Sequence, residues 1–201
     1  MKKGLIGCLA VVAVLIFIVV VAGGWGVGQY NGLVRGQEEV KSAWAQVENV
    51  YQRRTDLIPN LVETVKGVAT FEKETYTAVT EARAKVGQVN LSAEVLNDPQ
   101  AFQKLNAAQG ALSSALSRLF AVAENYPELK ANQNFLELQS QLEGTENRIT
   151  VERRRFNEVA QSFNTRLKSF PANLIAGMLG FKERPYFEAV SGAETAPAVK
   201  F

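Results

Sequence analysis

Two patterns of apolar residues divide this chain. Residues 5–22 are almost entirely Leu, Ile, Val, Ala and Phe, and no charged residue lies between Gly4 and Val34. A bilayer core requires about 20 apolar residues in a helix, so this run predicts one transmembrane helix. Beyond it, apolar residues recur at alternating spacings of three and four positions, which is typical of amphipathic helices. No stretch alternates with the period of a strand for long. The pattern therefore predicts an all-α fold.

Cap residues and prolines predict where the later helices begin. Asp56 is a potential N-cap and Pro59 follows in what would be a first helical turn, so we expect a second helix to start there. Asp98, followed by proline, predicts the start of a third in the same way. The fourth has near-heptad spacing, which favours long antiparallel packing. We expect an up-and-down antiparallel bundle of four long helices over residues 30–51, 57–87, 99–123 and 128–169.

The charges that flank the apolar run predict its orientation. Lys2 and Lys3 precede the run, whereas the basic residues after it are accompanied by acidic ones, which favours a cytoplasmic N-terminus. A cleaved signal peptide is the alternative, because Val20 and Ala22 fit a cleavage pattern, but the run exceeds the usual length of about 7–15 residues. We expect a single-pass protein of the bacterial cytoplasmic (inner) membrane, with its bundle in the periplasm or outside the cell. The expected regions are 1–29 (N-terminus and transmembrane helix), 30–170 (bundle), 171–189 (apolar membrane-proximal segment) and 190–201 (flexible tail).

Glycines recur every fourth residue where the anchor continues into the bundle. On a helix they form one stripe without side chains, which favours close approach of another backbone. The stripe is either a seam for self-association or a hinge, since each interior glycine costs about 1 kcal/mol of helix stability relative to alanine. Its members are Gly24, Gly28, Gly32 and Gly36.

The bundle topology brings the end of the fourth helix back towards the membrane. The segment that follows is apolar but too short to span a bilayer, so it either forms a foot on the membrane or a partner interface, or folds back to close the bundle. Its large apolar residues are Leu174, Ile175, Met178, Leu179 and Phe181.

The same topology brings two groups of polar residues to the opposite end of the bundle. This predicted distal tip either binds a partner or satisfies free backbone groups at helix ends, and we favour the second reading. Its residues are Arg53, Arg54, Asp56, Asn60, Asn132 and Asn134.

Long ordered blocks of this sequence resemble the LemA family. They include Ala43-Trp44-x-x-Val47, Gln52-Arg53-Arg54-x-Asp56-Leu57-Ile58-Pro59-Asn60-Leu61, Glu81-Ala82-Arg83, Tyr126-Pro127-x-Leu129-Lys130-Ala131-Asn132, Thr145-Glu146-Asn147 and Phe170-Pro171-x-Asn173. The resemblance runs from the anchor to Phe181. It implies an N-terminally anchored antiparallel helix bundle with no established enzymatic activity, in a family that includes MamQ, a magnetosome-associated branch tied to building membrane compartments.

Composition narrows the possible functions. The chain has no histidine and one cysteine, Cys8, so the commonest general base and the usual zinc ligand sets are absent. Apart from Lys2 and Lys3, its 22 basic residues leave 20 to balance 20 acidic ones, which gives no basic surplus for nucleic acid. We expect no enzyme activity, no cofactor and no metal. The expected function is a scaffold that self-assembles and organises or shapes a membrane patch, with the lipid bilayer and other copies of the chain as partners. The alternative is an adaptor or sensor for an unidentified extracytoplasmic protein, such as a protease or stress-response component.

The predicted topology is testable in intact cells. Protease added to spheroplasts should digest the bundle, because it lies outside, and the intact mass of the mature protein should include Lys2 and Lys3. Protection of the bundle would reverse the orientation, and a mature N-terminus at Gly23 would show that the anchor is cleaved.

Overall fold

The computed structural model describes residues 2–68, 70–89 and 91–188, with residues 2–11 described by backbone only; the predicted tail, 190–201, lies outside the described residues. Every regular element in these ranges is helical, which confirms the all-α prediction. The elements are α1 (Lys2–Lys66), α2 (Lys73–Gly87), a 3₁₀ helix (Ala93–Asn97), α3 (Pro99–Ala123), the single-turn α4 (Pro127–Lys130), α5 (Gln133–Lys168) and α6 (Ala172–Leu179).

Helix α1 combines the candidate membrane anchor with one wall of the bundle. It has 65 residues, which corresponds to about 97 Å at 1.5 Å per residue. Its N-terminal part is the one stretch of the described chain that is long and apolar enough to cross a bilayer, with a mean hydropathy of 2.1 and none of it buried against protein. The predicted transmembrane helix and the first bundle helix are therefore one continuous element.

The predicted break between the first and second helices is wrong, because α1 continues through Pro59 to Lys66. A proline inside a helix leaves the carbonyl four residues earlier without its N–H donor. That carbonyl belongs to Thr55, and the Arg83 side chain of α2 donates a hydrogen bond to it at 3.1 Å. The neighbouring helix thus satisfies the group that Pro59 leaves free, and the chain turns back only after Lys66.

The bundle is antiparallel, with α1 packed along α5 and α2 packed along α3. Its core has two clusters. The cluster nearer the anchor combines the Leu33–Tyr51 side of α1 with the start of α3 and the end of α5. The far cluster combines the end of α1 with α2, the end of α3 and the start of α5. The chain therefore runs out, back, out and back, as predicted.

Side-chain caps fix where α3 and α5 begin. The Asp98 carboxylate accepts hydrogen bonds from the backbone N–H of Gln100 at 2.9 Å and of Ala101 at 3.3 Å, so the predicted start of the third helix is confirmed. Asn132 caps α5 in the same manner, through the backbone N–H of Asn134 and Phe135. The fourth predicted helix is therefore divided at Asn132 into α4 and α5.

Phe156 of α5 is the centre of an aromatic group in the anchor-side cluster. It is fully buried, and its ring centroid lies 5.5 Å from that of Trp44 on α1 and 6.3 Å from that of Phe102 on α3. Phe187, near the end of the described chain, approaches to 5.5 Å. One side chain therefore joins three helices and the C-terminal segment.

Replacing Phe156 with alanine should lower the free energy of unfolding by about 3–5 kcal/mol, because it leaves a cavity that its neighbours cannot fill. Denaturant unfolding of the full chain in mild detergent, followed by helical circular dichroism, measures this loss. The control is Val151→Ala on the exposed face of α5, which should change stability by less than about 0.5 kcal/mol. Equal effects at the two positions would contradict the packing.

Candidate functional site

The two halves of the glycine stripe of α1 have different surroundings. Around Gly24 and Gly28 there is open space, so another backbone can approach. Gly32 is covered by the guanidinium of Arg166 on α5, whose Nη1 donates a hydrogen bond to the Gly32 carbonyl at 3.2 Å. At Gly36 an added Cβ would lie 3.1 Å from the Phe163 ring. The last two glycines thus serve contacts within the chain.

This division corrects one part of the predicted seam. A glycine that is covered by its own bundle cannot touch a second copy unless the covering side chain moves. Gly32 and Gly36 allow α5 to approach α1 closely, whereas Gly24 and Gly28 remain available. The sequence could not separate the halves, because the covering residues come from a helix more than 100 positions away.

Helix α6 is the predicted foot, and it has two faces. Ala172 and Ala176 are buried against α1 and α5. The other face leaves large apolar side chains in the open, with exposed fractions of 60% for Leu174, 86% for Met178 and 56% for Leu179. Ile175 is half-buried against the anchor-side core. The segment therefore closes this end of the bundle and also presents an apolar surface.

Phe181 attaches the end of α6 to α1. Gly180 has a φ of 75°, a left-handed conformation that favours glycine, and it ends the helix. The backbone N–H of Phe181 then donates to the Ala176 carbonyl at 3.0 Å. The Phe181 ring lies 6.2 Å from that of Tyr30, near the end of the uncharged run of α1. The apolar face of α6 is thus placed beside the point where the candidate anchor becomes the bundle.

Residues 181–188, here called the strap, have no regular secondary structure and lie against α5. Two asparagines of α5, seven positions apart, hold its backbone. Asn164 both donates to the carbonyl and accepts from the N–H of Arg184, at 2.8 Å each. Asn157 pairs with Phe187 in the same way, at 2.8 and 2.9 Å. Sequence analysis missed the strap, although its aromatic residues were a signal of burial.

The predicted distal tip does not form one cluster, because α1 continues past it. Arg53, Asp56 and Asn60 lie in the last part of α1, before its end at Lys66. Asn132 caps α5, and Asn134 lines a shallow groove together with Asn60. Of the predicted tip residues, Asn132 accepts hydrogen bonds from helix-end N–H groups, whereas those of α1 lie inside a continuous helix.

Arg54 is the charged centre of the bundle core. Its side chain is 1% exposed, and its Nη1 donates to Glu146 of α5 at 2.6 Å and to Ser113 of α3 at 2.8 Å. Its Nη2 donates to the Gln109 side chain. Burial lowers the pKa of the guanidinium, and the Glu146 carboxylate opposes that effect. Arg54 thus ties α1, α3 and α5 together between the two apolar clusters.

A polar groove of about 670 Å³ follows the outer side of the α1–α5 pair. It is lined by charged residues of both signs, Arg53, Asp56, Arg148 and Glu152, together with amide side chains. Within the described ranges, no three histidine, cysteine, aspartate or glutamate side chains are close enough to hold a metal ion.

Comparison with known proteins gives consistent matches. The sequence model of the LemA family matches residues 43–201. Protein LemA of Metamycoplasma hominis is 26% identical over 163 residues, which cover 81% of this chain and 70% of the relative. Magnetosome protein MamQ 2 of Paramagnetospirillum magneticum is 26% identical over 209 residues, with 96% and 76% covered. Magnetosome protein MamQ of Magnetospirillum gryphiswaldense is 27% identical over 183 residues, with 83% and 67% covered. None of these names is that of an enzyme.

Adjacent arginines provide a matched test of the buried cluster. Arg54→Ala should lower the free energy of unfolding by about 3–5 kcal/mol, because removing one partner leaves buried polar groups without their contacts. Arg53→Ala removes the same side chain from the exposed face and should change it by less than about 0.5 kcal/mol. Chemical denaturation of both variants in detergent measures the difference. Comparable losses would show that Arg54 is not the central contact.

Proposed function

The chain belongs to the LemA family, and we propose that it is a non-enzymatic scaffold of the bacterial inner membrane. In this proposal α1 spans the bilayer with its N-terminus in the cytoplasm. The bundle stands on the opposite side, in the periplasm or outside the cell, and copies associate to organise or shape a patch of membrane.

The exposed apolar face of α6 is the observation that carries this proposal. A water-soluble surface rarely leaves several large apolar side chains together in the open without a partner. Leu174, Met178 and Leu179 do so directly beside the emergence of α1, where the interface of a bilayer would lie. An apolar helix face at that depth gains stability by entering the boundary between headgroups and acyl chains. Each copy would then contact the outer leaflet over a wider area than one span.

The open half of the glycine stripe supports association between copies. Gly24 and Gly28 lie one helical turn apart, with nothing of the described protein near either. Small residues at this spacing allow two membrane helices to approach until their backbones touch. The relatives that are named magnetosome proteins are in keeping with a role in membrane organisation.

The polar groove on the α1–α5 pair favours a second candidate, an adaptor or sensor. Its mixed charges provide several hydrogen-bonding groups for a protein partner, such as an envelope protease or stress-response component. An adaptor would remain a small species and co-purify with a different protein. A scaffold would instead form a large assembly of identical copies.

Gly28→Leu should abolish a detergent-stable oligomer, because the added side chain separates the two helices at the open half of the stripe. Size-exclusion chromatography with light scattering, in a mild detergent, measures the mass of the assembly. The matched control is Val27→Leu, which lies off the stripe and should leave the mass unchanged. Gly32→Leu does not test the seam alone, because an added side chain there must also displace the Arg166 guanidinium that covers Gly32.

Two results would contradict the proposal in different ways. If Gly28→Leu elutes with the wild-type oligomer, the seam is not the glycine stripe. If the wild-type protein is a monomer bound to a different protein, the adaptor replaces the scaffold.

A further inference from the structure

A cleft of about 440 Å³ opens beside the foot, where α6 ends and the strap begins. Tyr30 and Gln37 of α1 form one wall, and Asn97, at the end of the 3₁₀ helix, also lines the cleft. The remaining wall includes Leu179 of α6 and two cations of the strap, Lys182 and Arg184. The function proposed above gives no role to this cleft.

Arg184 is a buried cation without an anionic partner. Its residue is 8% exposed, and its Nη1 donates to the Asn97 side chain and to the Leu96 carbonyl at 3.4 Å. Its Nε has no acceptor among the described residues. Within those same ranges no carboxylate lies within 4.0 Å of the Arg184 guanidinium. The adjacent carboxylate, that of Glu183, pairs instead with Lys168 at 2.7 Å. A charge removed from water is unfavourable unless an opposite charge accompanies it.

The fold nevertheless holds this cation firmly in place. Asn164 binds both backbone polar groups of Arg184, and the guanidinium lies 5.8 Å from the centroid of the Phe163 ring. Burial lowers the pKa of Arg184, and no neighbouring charge opposes that effect. An arginine remains protonated in proteins all the same. The cleft therefore presents a fixed positive charge, and Lys182 adds a second one that is exposed.

The walls of the cleft change from apolar to polar along its length. Leu179 joins it to the open apolar face of α6, and Tyr30 joins it to the uncharged run of α1. Gln37, Asn97 and Arg184 also line a small neighbouring pocket with Val40 and Lys41, which lie farther along α1 from the anchor than Tyr30. A phospholipid has the same order of chemistry, with acyl chains on one side of a phosphate. Arginine and lysine are the side chains that bind phosphate most strongly.

We propose that this cleft binds the phosphate of an anionic phospholipid from the leaflet that faces the bundle. Arg184 and Lys182 contact the phosphate, and the acyl chains lie against Leu179 and the open face of α6. The inference rests on the proposed membrane contact of α6, and it adds a chemical preference to that contact. Inorganic phosphate shares the recognised group but lacks the acyl chains.

The test is thermal unfolding of the full chain in an uncharged detergent after lipid removal. Phosphatidylglycerol added to the micelles should raise the unfolding temperature in a saturable manner, because a ligand that binds only the folded state stabilises it. Phosphatidylcholine and inorganic phosphate at equal concentration should raise it much less. Removing one charged hydrogen bond typically weakens binding about tenfold. Arg184→Gln should therefore weaken the phosphatidylglycerol effect by about tenfold, and Lys182→Gln by at least about threefold.

Lys73→Gln, at the far end of the bundle, is the matched control and should respond like the wild type. Lys182→Gln keeps the test valid if Arg184→Gln does not fold, because Lys182 is on the surface. The site would be refuted if phosphatidylcholine raised the unfolding temperature as much as phosphatidylglycerol does. It would also be refuted if phosphatidylglycerol stabilised Lys182→Gln and the wild type equally. A full response to inorganic phosphate would refute its assignment to a lipid. The oligomeric mass is measured on the same samples, so an intact oligomer without the lipid effect refutes this inference and leaves the scaffold standing.

Discussion

The continuous backbone of α1 is the constraint on which the other elements depend. One helix is both the candidate membrane span and the longest wall of the bundle, so the position of every packed residue along it also sets a distance from the anchor. The helix continues through Pro59, and Arg83 donates a hydrogen bond to the Thr55 carbonyl that the proline leaves without a donor. A break there would give the predicted second helix, and it would free the outer half of the bundle from the axis of the anchor.

The anchor end of the bundle brings together segments that are remote in sequence. Gly32 and Gly36 let α5 approach α1, α6 closes the end of the bundle, and the strap returns along α5. Each of these contacts covers apolar groups or pairs polar groups that would otherwise be exposed to solvent. The outer face of α6 is the exception. That face is left over because α6 is apolar on both sides and packs against α1 and α5 on only one of them. In the proposed function, its position beside the anchor places it where it would contact the bilayer.

Two buried arginines show opposite solutions to the same energetic problem. Arg54 is desolvated in the middle of the core, but Glu146, Ser113 and Gln109 surround it with acceptors. Arg184 is desolvated at the anchor end with only neutral acceptors. Both guanidinium groups have an Nε without an acceptor among the described residues, so the difference between them is the carboxylate. Glu146 compensates the buried charge of Arg54, whereas Arg184 forms no ion pair within the described ranges, and this contrast is what the lipid-binding proposal depends on.

The sequence by itself determined the features that depend on local pattern. The apolar run, the all-α class, the up-and-down order and the Asp98 cap follow from periodicity and capping, which act over a few residues. The family resemblance added the expectation of an anchored bundle, which agrees with the fold. The apolar character of α6 was visible in the same way, although not the identity of its buried face.

Tertiary structure decided the features that depend on partners distant in the chain. Pro59 predicted a helix start, and only the placement of Arg83 shows why the helix continues. The four glycines were equivalent in sequence, and only Arg166 and Phe163 divide them into a closed and an open half. The sequence did not predict the strap or the buried position of Arg184. Asn157 and Asn164 have the pattern of ordinary exposed helix residues, and only the folded chain pairs them with the strap backbone. Long-range contacts select among locally allowed conformations, and the local pattern of a sequence does not reveal which distant side chain will meet which backbone group.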